Sequence, residues 1–206
     1  MNEGLQWGLV ALGLLAVFVR GRYMAIGVVT VQAGLLGAGA LAAASGRPPE
    51  FTLAALLLLA RALLLGYFLF VSVGRTREPR PLRAETTPFL RLGAVMVGAL
   101  LVGALVPPLG LQSRAAEQAS IALVLIGAAT VVARKPTIFH LLGLMIAENG
   151  LALAAVSVPG GLPLLIELGV AFDLVVIITV AIAFHEHIFG EFGTGDSTLL
   201  RDLHDK

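Results

Sequence analysis

The sequence predicts an all-α fold: a polytopic transmembrane bundle of seven helices, with the N-terminus outside and the C-terminus cytoplasmic. Three observations predict it. Of 206 residues, 58% are hydrophobic and only 13% charged, and the mean hydropathy is +0.94, far from the balance of a soluble domain. A bilayer core about 30 Å thick takes roughly 20 apolar residues per helical crossing, and the chain divides into seven such runs. Finally, the connections between runs alternate between rich and poor in Lys and Arg, as the positive-inside rule requires.

The first run, Leu5 to Val19, is short for a crossing and relies on the interfacial Trp7 and its neighbours. Glu3 stands where a secretory signal carries positive charge, so a retained helix is expected rather than a cleaved leader. The second and third runs are Tyr23 to Ala44 and Phe51 to Val73. In the second, Gly34 with Ala38 and Gly39 with Ala43 put small residues at four-residue spacing, which predicts close helix contact. Leu92 to Leu109 and Gln118 to Ala133 follow, and then Pro136 to Val158 and Pro163 to His185. Only Pro159, Gly160, Gly161 and Leu162 join the last two, so these are expected to be antiparallel neighbours.

Arg20 and Arg22, the five arginines 75, 77, 80, 83 and 91, Arg134 with Lys135, and Arg201 with Lys206 all fall on one side; Arg47 and Arg114 fall on the other. The stretch 74–91 contains Pro79, Pro81 and Pro88, so it is expected to be an exposed basic cytoplasmic loop, a topology anchor or a docking surface for an acidic partner. The chain thus reads as a four-helix segment (1–117), a three-helix segment (118–185) and a cytoplasmic tail (186–206). In the tail, Asp196, Ser197 and Thr198 make an N-cap for a short helix over Leu199 to Leu203.

With no cysteine, disulfides, thiolate zinc sites and cysteine-ligated iron–sulfur clusters are excluded. A formal charge of +1 makes no case for nucleic acid. His185 and His187 around Glu186 give thin support for a metal, and His140 with His185 give thin support for a haem. No cofactor is expected.

Within the seven runs only Arg61, Glu148, Glu167 and Asp173 carry formal charge. Each costs about 2.5 to 3.5 kcal/mol at a helix centre, so they must face one another, water or a partner. At about 1.5 Å of rise per residue, Arg61, Glu148 and Asp173 lie at one depth, about 18 Å from the cytoplasmic ends of their helices. Two meanings remain open, a set of ion pairs that holds the bundle and a relay of groups that take up and release protons. His140 shares a helix face with Glu148, two turns toward the cytoplasm, and is a relay group or an interfacial side chain. Glu167, one turn from the outer end of its helix, is an exit group or a side chain reaching back to water.

The run RKPTIFHLLGLMIAENGLALAAV (134–156), followed by ELGVAFDLVVIITVAIAFHEH (167–187), resembles the last two helices of the K subunit of NADH-quinone oxidoreductases. The seven-helix layout, with LARALLLGYF around Arg61, AEN in the sixth run and ELGVAFD in the seventh, resembles component E of hydrogenase-4-type membrane complexes. This second similarity extends over essentially the whole chain and is most specific from Arg134 to His185. It implies a non-redox membrane subunit of a respiratory-type complex. The subunit would lie between a hydrogenase, formate-oxidising or NADH-oxidising module and large antiporter-like subunits, with Glu148 and Asp173 in a proton or sodium pathway. The chain departs from the K-type pattern in two ways: the first carboxylate aligns with Met145, three residues from Glu148, and Asp173 replaces a glutamate. A scaffold that seals neighbouring subunits, and a subunit of a cation/proton antiporter, are the other readings.

Overall fold

The computed structural model describes residues 2–19, 21–75, 98, 110–134 and 137–160, together with the separate positions 175, 178, 179 and 182. Among them are five helices and no strand: α1 (Glu3–Phe18), α2 (Arg22–Ala43), α3 (Pro49–Arg75), α4 (Arg114–Ala133) and α5 (Thr137–Ser157). They match the first, second, third, fifth and sixth expected runs to within a few residues. The fourth and seventh runs, with Glu167, Asp173 and the tail, lie outside the described residues except for isolated helical positions.

Local chemistry sets the boundaries. Asn2 caps α1 by accepting the Leu5 N–H at 2.9 Å, and Ser113 caps α4 by accepting the Ala116 N–H at 3.1 Å. The second cap explains why α4 begins at Arg114 rather than at Gln118, where apolarity alone would start it. A turn with Gly46 at φ 76° leads to Pro48 and to Pro49, which occupies the first position of α3 and has no N–H to leave unpaired. After Ser157, Pro159 and a positive-φ Gly160 close α5.

Four helices, α2 to α5, contain windows long and apolar enough to cross a membrane; α1 has 16 residues. The helices α1, α2, α5 and α4 form a ring in which each touches the next, and α3 lies on the outside of α2. The ring encloses Leu9, Leu36, Leu123, Ile126, Ile146 and Leu153, all buried. Leu63 and Tyr67 on α3 are 69% and 66% exposed, whereas Gln32 and Asn149 are 0% and 1% exposed. Polar inside and apolar outside is the pattern that lipid imposes and the reverse of what water selects.

One end of the bundle gathers the ends of α1, α3 and α4 with the starts of α2 and α5. Tyr23 meets Phe70 with ring centroids 5.0 Å apart, and Arg134 reaches Val17 and Val19. At the other end Gln112 N–H donates to Ser157 O at 2.8 Å, and Arg47, Phe51 and Val156 line one hollow. Arg22, Arg75 and Arg134 therefore share an end opposite Arg47 and Arg114, the partition expected from the loops.

Of the two expected small-residue pairs on α2, Gly39 is buried, whereas Gly34 with Ala38 is not in a helix contact among the described residues. A Cβ on Gly34 would meet nothing within 4 Å, and Ala38 is exposed, so that pair faces away from the bundle. The tight surface is between α4 and α5. There a Cβ on Gly143 would come 2.7 Å from Gly127 O, and one on Gly150 would come 2.7 Å from Ser120 O. On α2 the close approach is at Gly37 against Leu59 of α3.

Candidate functional site

Near the midpoint of the bundle, Arg61 on α3 and Glu148 on α5 form a buried ion pair, with Arg61 Nη1 donating to Glu148 Oε1. Their residue exposures are 6% and 5%, values at which either charge alone would be costly. The backbone of α3 packs on α2. The length of the arginine side chain is what carries a charge from α3 across to α5. The expected common level of Arg61 and Glu148 is therefore observed.

The pair belongs to a longer polar chain. Arg61 Nη2 donates to Asn149 Oδ1 at 3.2 Å, Asn149 Nδ2 donates to Gln32 Oε1 at 3.0 Å, and Gln32 Nε2 donates to Leu9 O on α1 at 2.7 Å. Leu9, Gln32, Arg61 and Asn149 each lie near the middle of their helices, so four elements contribute to one polar layer. Gly13 makes room for it: a Cβ there would come 2.9 Å from Gln32 Nε2. Glu148 Oε2 is buried and has no hydrogen-bond partner among the described residues, so half of the carboxylate's accepting capacity is open to a proton, a water or another group.

His140 lies in the first turn of α5, half-buried. Eight residues separate it from Glu148, about 12 Å along the helix, so it stands apart from the polar layer. Glu167 and Asp173 lie outside the described residues. Gln32 and Asn149 carry no formal charge, so the cost of charge in lipid does not mark them. The available signal was an amide side chain in the middle of an apolar run, which also needs a partner in lipid.

A second buried arginine sits at the end of the bundle. Arg134, 4% exposed, donates from Nη2 to Val17 O and Val19 O, each at 2.7 Å, and its guanidinium carbon lies 4.1 Å from the centroid of Phe139. Read from the loops it is a topology charge; in the fold it also binds the carbonyls of Val17 and Val19 at the C-terminal end of α1.

These features define an all-helical membrane protein with an ion pair and two amides in its interior. No family model, curated protein or solved structure matches the chain.

Proposed function

We propose that this chain is a non-redox membrane subunit of a respiratory-type oxidoreductase complex, of the hydrogenase-4 or complex I-like kind, and that it contributes buried carboxylates to a proton or sodium pathway. The observation that carries the reading is the Arg61–Glu148 pair at mid-depth, with one carboxylate oxygen bound to the guanidinium and the other open. A fixed structural ion pair gains most when every lone pair is satisfied. A carboxylate kept half open beside a cation suits a group that exchanges protons or holds a cation in passing. The resemblance of AEN and ELGVAFD to component E of such complexes supports the same role and adds Asp173 as a second carboxylate. His140 and Glu167 are proposed as entry and exit groups.

In this reading the N-terminus is outside, the basic end holding Arg22 and Arg134 is cytoplasmic, and the membrane is the cell's inner membrane. The partners are antiporter-like subunits and a hydrogenase, formate-oxidising or NADH-oxidising module.

The test purifies the tagged chain with its native partners and measures ion uptake and electron transfer together in vesicles. Glu148→Ala and Asp173→Ala should abolish uptake while electron transfer by the redox module persists. Wild-type uptake in both variants, with the complex intact, would overturn the proposal in favour of a scaffold. Co-purification of antiporter-like subunits with no redox module would assign the chain to a cation/proton antiporter instead.

A further inference from the structure

The polar chain across the bundle has a direction, and the direction determines what each member can do. Leu9 O can only accept, so the Gln32 atom facing it must be the amide nitrogen, and the Gln32 oxygen is turned toward Asn149. Gln32 Oε1 in turn can only accept, so Asn149 presents its nitrogen to Gln32 and its oxygen to Arg61. The orientation of both amides thus follows from one backbone carbonyl, and the last acceptor in the series meets Arg61 Nη2. The guanidinium is held on two sides by different partners, a neutral amide oxygen on one arm and the Glu148 carboxylate on the other.

We propose that Gln32 and Asn149 are positioning residues that fix Arg61 as a stationary cation, so that Glu148 is the member of the pair whose proton and position change. The inference deepens the proposed function and rests on its reading of Glu148 as a group that takes up and releases protons. An arginine held by its carboxylate alone would lose the charge-assisted part of its anchor each time that carboxylate was protonated, and its long side chain would be freer to withdraw. The amide arm prevents this, because nothing in it titrates: Leu9 O, Gln32 and Asn149 are neutral at every working pH. No other described charge of the surrounding helices sits in this layer. Glu3 on α1, Arg22 on α2, Glu50 and Arg75 on α3, and Arg114 and Glu117 on α4 all lie in end turns, and His140 is two turns from Glu148 on α5.

The test uses the full chain, labelled with ¹⁵N in its arginines and reconstituted into phosphatidylethanolamine–phosphatidylglycerol vesicles, and reads the Arg61 side chain by solid-state NMR. Its signals are those missing from Arg61→Leu. A guanidinium held on both arms gives two separate Nη resonances, and one free to rotate gives a single averaged resonance. Two resonances are expected at every pH in the native chain and in Glu148→Gln; in Asn149→Leu two are expected while Glu148 is ionised and one once acid protonates it. Gly13→Ala, which pushes Gln32 off Leu9 without touching Asn149 or Arg61, should shift the Arg61 resonances toward each other, and it serves where Asn149→Leu fails to insert. Two resonances that persist in acid in Asn149→Leu, unchanged resonances in Gly13→Ala, or a collapse to one in Glu148→Gln, would overturn the proposal. Glu148 itself is followed separately by its ¹³C carboxyl shift. A carboxyl signal that never changes with pH removes the proton-exchange reading, while the Glu148→Gln spectrum still decides whether the amide arm holds Arg61.

Discussion

Arg61 and Arg134 are both buried arginines in an apolar bundle, yet they are built into it in opposite ways. Arg134, at the end of α4, binds two backbone carbonyls and stacks on Phe139. These two acceptors are neutral carbonyls, so their bonds join the end of α1 to the α4–α5 pair with no proton exchange. Arg61, in the middle of α3, shares its two arms between a carboxylate and an amide, and that carboxylate keeps one oxygen open. Burial alone is therefore no sign of function. What separates a fastening from a working site is whether the partner can change its protonation state and whether all its lone pairs are engaged.

The comparison breaks first at the pair itself. Glu148→Ala, with Arg61 left in place, should lose ion uptake entirely and destabilise the bundle by about 3–5 kcal/mol, because an uncompensated cation remains buried; thermal unfolding in lipid measures the second effect. Arg134→Ala should cost about 2–3 kcal/mol, the worth of charge-assisted bonds to carbonyls together with the ring contact, and should leave the ion-uptake rate per folded complex unchanged. A fall in that rate would mean that the end of α1 takes part in transport. Gly150→Ala, driven against the Ser120 carbonyl, should cost about 1–3 kcal/mol by overpacking, read as a lower unfolding temperature. The double variant Arg61→Met with Glu148→Leu sharpens the contrast most. Removing both charges together should restore stability to within about 1 kcal/mol of the native chain while uptake stays absent. Recovery of uptake would show the pair to be only a fastening. Gly34→Ala, which meets open space in mid-helix, should stabilise the chain slightly, by about 0.5–1 kcal/mol, through helix propensity alone.

How much was legible beforehand depended on whether a feature is a property of one helix or of several. Helix positions followed from apolar runs, and Arg61 and Glu148 stood out because a charge in such a run is costly wherever the run packs. The equal depth of the two was legible as well, since rise per residue is fixed. Gln32 and Asn149 were not singled out, because an uncharged amide stands out far less in an apolar run than a formal charge. The glycine contacts were misjudged at Gly34 and found instead at Gly37, Gly127, Gly143 and Gly150, since spacing says that one face is small but not which face meets a neighbour.

Taken alone, then, the amino-acid order determined the all-helical, membrane-type architecture, the extents of five helices and the basic and non-basic ends, because hydropathy, caps and charge act along a single segment. Only the tertiary structure decided that α3 packs outside the ring on α2 and reaches α5 through Arg61, that two amides complete the other arm of that cation, and that Arg134 closes the end of α1. Those outcomes depend on how helices are rotated and paired. In lipid, rotation and pairing are set by close packing and by the need to match every buried donor with an acceptor on another segment.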